Sequence, residues 1–496
     1  MRIQELDPSR VKTLIEMTER LIEQTGFEVA STEILERAEQ AGAQVDHDKQ
    51  RIRIPSALLR RLLRQVPDTY TVAGGNRQTW KIGGGEQYAT AIVTDPWIID
   101  GKTRKPRRPC LNDLIINTIL AQQHDSVACV SRMDFPVTDD PGPYSSQRAL
   151  LTHLLLHSKH NMPYVSNDED LKLWLEIGSI LAQGEPLFGS GLLTFAVAVR
   201  SPLTLTDLNC RILLAATGLR LPVIPTVCPM AGMTGPYDVA STLLLANTEC
   251  IFIAALTQLL QPGNPFLYAP GPSVGNMQTG EDQYYTIEKV LWRVAGVELA
   301  RAYGIPTVAG CGGTMSWRAD MQSGAESMLF MQAAVASGAD ILTGIGSCFN
   351  ANGLSSEMIV IQHAWLEAAR RIRTGISMDH LEEGLADIEE VGVGGHFLIS
   401  DLTLDQLYRE AFFAHPLFDY NGKFVPDDGG SIWERASRRV EELTRDYSSP
   451  LPIPVQNSLI SLFRDRFGFE SDELSLLQGL IFAGEKHDKQ RRFRFG

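Results

Sequence analysis

Between Pro225 and Gly353, short apolar runs stop repeatedly at polar, glycine-rich turns: PTVCPMAGMTGP, FLYAPGPSVG, TVAGCGGTMSWRADMQSGAE and ILTGIGSCFNANG. A helical pattern begins within a few residues of each stop. Strand, loop and helix recurring every ~35 to 40 residues leave few architectures, because a crossover helix makes successive strands parallel. Such strands close into a barrel or open into a doubly wound sheet, and both folds keep their chemistry in the loops after the strands.

Strands are expected near Ser126–Arg132, Pro163–Val165, Phe188–Phe195, Pro222–Val227, Pro265–Ala269, Pro306–Ala309, Asp340–Thr343 and Gly394–Ser400. This set fits an α/β fold of the closed (β/α)8 kind, a TIM barrel, over residues 121–402. The stretches Val239–Gln258, Ile287–Tyr303 and Met358–Arg373 carry the i, i+3, i+4 apolar spacing of its helices. Residues 1–66 read as an N-terminal helical cap, from helical patterns at Val11–Gly26 and Thr32–Ala43, a short strand at Arg51–Pro55 and a basic helix ending near Val66. Residues 67–120 read as an antiparallel layer covering the barrel, with turn glycines in AGGN and IGGGE. Residues 403–496 are expected to be a C-terminal helical extension, with a hinge at SSPLPIP, a helix near Gln456–Arg466 and an exposed or subunit-packing tail, KQRRFRFG.

The balance of 45 Lys plus Arg against 59 Asp plus Glu, a net charge of −14, argues against nucleic acid or an anionic membrane as partner. MRIQELDPSR is charged, and no run of ~18 apolar residues is evident, so a cytoplasmic protein without membrane anchor is expected. The seven cysteines are an odd number without a CxxC pair, which argues for reduced thiols. Dinucleotide and P-loop motifs are absent in usable context.

The blocks CPMAGMTGPYDVASTLLLANTEC, QPGNPFLYA, ELARAYGIPTVAGCGGTMSWRADMQSGAES, ASGADILTGIG and EVGVGGHFLISDLT occur in an order and spacing that resembles the trimethylamine methyltransferase family, which includes non-pyrrolysine betaine methyltransferases. The resemblance spans most of the chain. It implies a barrel that passes a methyl group from a tertiary or quaternary amine, glycine betaine among them, to the Co(I) corrinoid (cobalamin) of a partner protein; no intrinsic metal is expected, because no clustered ligand spacing exists. There are two departures. Only the twenty standard residues occur here, which favours quaternary amines over trimethylamine. The carboxyl-end block reads Ser400-Asp401-Leu402-Thr403, where the family usually places a histidine before the threonine.

A quaternary ammonium has no proton to remove and no lone pair to protonate, so its site has to orient and desolvate it. An aromatic cage does this through the ring quadrupole. Trp97, Phe195, Tyr268, Trp317 and Phe349 are cage candidates at or after predicted strand ends, and His396 after two glycines is a candidate for a substrate carboxylate. Core packing is the alternative for each ring. Asp320, Gln322 and Glu326 are polar candidates beside Trp317, Asp320 doubling as a possible helix cap. Glu249, inside the apolar run ANTECIFIAAL, is either at the mouth of the site or paired beneath it.

Cys228, Cys311 and Cys348 fall at the ends of three predicted strands, which raises a rival reading, a zinc-dependent methyltransferase, although the spacing is not a ligand motif. A barrel that binds a betaine without turnover is the non-enzymatic alternative. Homo-oligomerisation is compatible with all three.

Overall fold

The computed structural model describes residues 4–131, 137–140, 142–409, 411–420 and 430–469. Parallel strands flanked by helices make up its centre, an α/β fold. Tyr88–Ile92 pairs in parallel with Val127–Ser131 on one side and with Ile341–Ile345 on the other. His160–Asn161 continues from Val127–Ser131, and Val308–Gly310 from Ile341–Ile345. Phe195–Ala198 and Val223–Thr226 form a second parallel ladder. Single parallel bridges join the ladders: Asn161 to Leu193, Val223 to Phe266 and Tyr268 to Thr307.

Several expectations about the strands need correction: Pro163–Val165 carries no strand, its place in the sheet being taken by His160–Asn161, and the strand expected at Phe188–Phe195 is Phe195–Ala198. Residues 394–400 form no strand: 394–399 are exposed, Val393 is fully out, and Gly392 and Gly394 take positive φ. The position between 127–131 and 341–345 belongs to Tyr88–Ile92, inside the stretch read as a covering layer. YATAI is small and weakly apolar, so its sequence did not stand out as a doubly buried strand. The remainder of that stretch does pair antiparallel. Tyr70–Ala73 and Thr79–Ile82 form a hairpin whose Tyr70, Val72, Trp80 and Ile82 pack with Cys129, Met162, Leu267 and Ile341. Trp97–Ile99 joins a small sheet with Gly353–Leu354 and Pro106–Arg107, just beyond the carboxyl ends of two central strands.

The helices expected around Val239, Ile287 and Met358 are present as Val239–Leu260, Glu288–Tyr303 and Ser356–Thr374. Left-handed glycines end two of the central helices, Gly304 at φ +70 and Gly338 at φ +83. Val239–Leu260 corrects the reading that no stretch is apolar enough to span a membrane. Its mean hydropathy is 1.8, yet 72% of its apolar window is buried inside the protein. The cause is double coverage. The helices Pro8–Gln24, Thr32–Ala41 and Ser56–Leu63 pack on it from outside, with Phe27 stacked on Phe252 at 3.8 Å, while the strands cover its other face. At the far end Ile453–Phe467 closes the described chain, and the KQRRFRFG tail lies outside the described residues.

Candidate functional site

Exposure alternates along the central strands. Phe195 and Val197 are buried under the surrounding helices while Ala196 and Ala198 keep accessible surface. Ile224 and Thr226 alternate with buried Val223 and Pro225, and Val308 and Gly310 flank buried Ala309. Thr343 is the accessible residue of its strand, and Cys228 is the exposed cysteine of the seven. A period of two assigns the accessible set to one face, turned away from the helices. Towards the carboxyl ends this face carries the small residues Ala196, Ala198, Thr226, Gly310 and Thr343, while Ile224 and Val308 pack with the hairpin at the other end; the space they face is the strand interior, or lumen.

Loops after the strands bring ionisable and aromatic groups to this lumen. A Cβ on Gly271 would lie 3.1 Å from Cys228 Sγ and 3.5 Å from the Tyr284 hydroxyl, so both groups flank the same turn. Lys289 Nζ sits 3.4 Å from the centroid of the Tyr284 ring and donates to Gly271 O at 2.9 Å and Pro272 O at 2.6 Å. Burial, followed by the neighbouring Arg293, pushes this amine down to about 7. Tyr284 and Tyr285 meet edge to face at 5.1 Å, and the Tyr285 hydroxyl donates to Ser347 Oγ at 2.9 Å. Asn350 accepts from Tyr284 N at 2.7 Å and donates to Asp282 O, tying the loop after 341–345 to the loop before Glu288.

Asp95, directly after Tyr88–Ile92, is 4% exposed, and burial alone pushes its carboxyl up to about 8. Tyr164 is 36% exposed, yet burial still pushes its hydroxyl up to about 12, with the negative charges of Cys228 and Asp95 adding to the shift. Cys228 has the same character: it is exposed, yet burial pushes its thiol up.

The sequence profile named "Trimethylamine methyltransferase (MTTB)" matches residues 1–463. The chain belongs to that family. The glycine betaine methyltransferase of Desulfitobacterium hafniense (strain Y51) is 25% identical over 94% of this chain and 98% of its own length. The trimethylamine methyltransferase MttB of D. hafniense (strain DSM 10664 / DCB-2) is 23% identical over 94% and 93%. The L-carnitine:corrinoid methyltransferase of Eubacterium limosum is 24% identical over 91% and 95%. The family resemblance carried by the five sequence blocks is thereby borne out.

The structure scatters the candidate residues of this trimethylamine methyltransferase family member. Phe195 and Tyr268 are fully buried on the helix-facing side of their strands, Tyr268 donating to Asn247 Oδ1 at 2.7 Å; both are core rather than cage. His396 lies in the exposed 392–399 stretch, away from the strands. Asp320 caps Met321–Ser337, accepting from Ser323 N at 3.0 Å. Gln322 donates to Glu326, whose other oxygen accepts from Thr314 Oγ1 at 2.5 Å and Met315 N at 2.9 Å, so this pair braces the loop after 308–310. Glu249 is fully buried on Val239–Leu260, where it accepts from Ser201 Oγ at 2.7 Å and Leu203 N at 2.9 Å in the stretch after Phe195–Ala198.

Trp97 and Phe349 do meet, at 6.2 Å, but Arg108 covers the Trp97 ring at 4.0 Å. Arg318 likewise lies over Trp317 at 4.6 Å. Both indoles therefore hold cations supplied by the protein itself. Cys311 and Cys348 are buried while Cys228 is accessible, and among the described residues no group of three or more His, Cys, Asp or Glu is placed to hold a metal.

Asp95, Tyr164, Tyr284, Tyr285, Lys289 and Arg293 escaped the sequence reading. The signal available for the last two was an i, i+4 pair of like charges on a core-facing helix, a repulsive arrangement without local benefit.

Proposed function

We propose that the central strands form a closed eight-stranded barrel whose lumen binds a small quaternary amine, glycine betaine or a relative, for methyl transfer to the Co(I) corrinoid of a partner protein. The ring of ladders and bridges from Tyr88–Ile92 around to Ile341–Ile345 and back supports closure. The observation that carries the functional reading is the set of small accessible residues facing the strand interior, with Cys228 and Tyr284 flanking one turn at its carboxyl end, in a chain matched by the family over 1–463.

The corrinoid, when the partner presents it, supplies a nucleophile strong enough to take a methyl group from nitrogen. This chain's residues have the complementary work. The methyl carbon has to be aligned for in-line attack, the C–N electron pair stays on nitrogen, and the positive charge disappears as the neutral amine leaves. Lys289 lies over Tyr284 and Arg293 over Tyr285, so among the described residues Tyr164 is the tyrosine ring at the carboxyl end without a protein cation on it and the one that favours the substrate cation. A protonated Asp95, which its raised pKa predicts at neutral pH, leaves no fixed anion to hold the ammonium in its ground state. Free cysteines support a reducing, cytoplasmic setting.

The test is spectroscopic: purified protein with Co(I) cobalamin or a cognate corrinoid protein, offered glycine betaine, carnitine, choline and trimethylamine in turn. Loss of the Co(I) spectrum with a quaternary amine is expected. A protein that binds betaine and never methylates cobalt would be a passive binder and overturns the reading.

A further inference from the structure

Arg293 is 6% exposed on the helix Glu288–Tyr303, and its Nη1 is buried without a hydrogen-bond partner. Among the described residues no carboxylate forms an ion pair with it and no acceptor receives its N–H groups. The guanidinium lies against the strand Val308–Gly310. A Cβ on Gly310 would fall 2.4 Å from Nη2 and 2.6 Å from Cζ. Because Ala309 faces the helices, Gly310 faces the lumen, and its missing side chain is what lets the guanidinium reach that face. Phe330 at 4.9 Å and Tyr285 at 5.6 Å flank the charge, but rings do not neutralise it. The nearest ionisable neighbour on the same helix is Lys289, which brings no negative charge to offset it.

A buried guanidinium without a partner is costly, and its planar fork matches a carboxylate in two parallel hydrogen bonds. We propose that Arg293 receives the carboxylate of a zwitterionic substrate, so that the lumen selects quaternary amines bearing an anionic group over choline-like or simple amines. This rests on the lumen being the substrate site, as proposed above. The compounds in two of the relatives' names, glycine betaine and carnitine, carry such a carboxylate, whereas trimethylamine has none. The lumen's electrostatics thus place this chain with the first group.

Two compounds separate the charges. 3,3-Dimethylbutanoate, the carbon isostere of glycine betaine, keeps the carboxylate but has no ammonium and no methyl to give; choline keeps the ammonium and lacks the carboxylate. Titration calorimetry on the full-length protein is expected to show 3,3-dimethylbutanoate binding and competing with glycine betaine. In Arg293→Gln both affinities fall by about 30-fold or more, the betaine KM rises, and the preference for betaine over choline collapses; Arg293→Lys keeps part of it. Should the Gln variant fail to fold, the wild-type competition decides alone: no binding of 3,3-dimethylbutanoate overturns the proposal. An unchanged betaine KM in folded Arg293→Gln overturns it as well. Carboxylate binding that depends on Arg293 without methyl transfer from any amine sinks the reaction proposed above and leaves the anion site standing. Equal turnover of betaine and choline does the reverse.

Discussion

Glu249 shows how a single buried carboxylate in a strand-supporting helix shapes the pH response of the fold. Burial raises it from 4.5 to about 7, against the pull of the bonds from Leu203 and Ser201. A raised folded-state pKa means its contribution to stability is fully present below about 4.5 and is lost as pH rises through about 7. Glu249→Gln, which keeps the acceptor for Leu203 N, should therefore flatten the loss of thermal stability between these limits. Melting curves of the two proteins that stay parallel across that range would show that Glu249 is not the titrating group. Asp320 offers the opposite lesson. As a helix cap with its N3 partner Ser323, it should cost ~1 kcal/mol when replaced by Ala and leave kcat of the folded enzyme unchanged. A collapse of kcat without a stability change would return it to the catalytic candidates.

Among elements, the loop Cys311–Thr314 leaves no room for a side chain at Gly312 or Gly313. Gly313 holds φ +107, and a Cβ there would stand 2.0 Å from the Tyr285 ring. Gly313→Ala should cost ~1–3 kcal/mol in backbone strain alone and should displace Tyr285 from Ser347, raising the KM for the amine. Unaltered melting temperature and KM would show that the loop yields freely. The sequence made this region legible as a strand followed by a glycine-rich functional loop, because apolar runs ending in Gly and Thr have few other uses. Much of the strand order was legible from the same rhythm, except where YATAI lacked large β-branched residues, where the exposed GHFLIS run mimicked a strand, and where the readings at 163–165 and 188–195 fall beside the strands 160–161 and 195–198. The site residues were not legible. Period-two exposure separates Phe195 from Ala196 only once the sheet has a known inner face, and aromatic size drew attention to rings that pack the outer one. Lys289 and Arg293 read as an ordinary charged helix face until their burial is known.

For the whole molecule, the described layers cover one end and the outside of the strand interior. The hairpin Tyr70–Ala73 with Thr79–Ile82 packs its apolar face beneath Cys129, Leu267 and Ile341, filling the end where the strands begin. The first three helices cover Val239–Leu260 from outside, so access is left at the carboxyl ends, where Tyr164, Cys228 and Tyr284 meet. This predicts a site-selective labelling pattern. Cys228 should react first with a small uncharged thiol reagent such as methyl methanethiosulfonate, since the other cysteines are buried or, for Cys110, half-buried with a thiol pushed up to about 11 by burial and Asp113. Its own raised pKa makes the reaction faster above neutral pH. Glycine betaine at ~10 times its Kd should slow labelling about tenfold, because an occupied lumen leaves only the small free fraction reactive. The same betaine should leave Cys110 labelling untouched. If Cys228 modifies at the same rate with and without a betaine concentration that saturates turnover, the amine binds elsewhere, and the lumen of small residues loses its claim to be the substrate site.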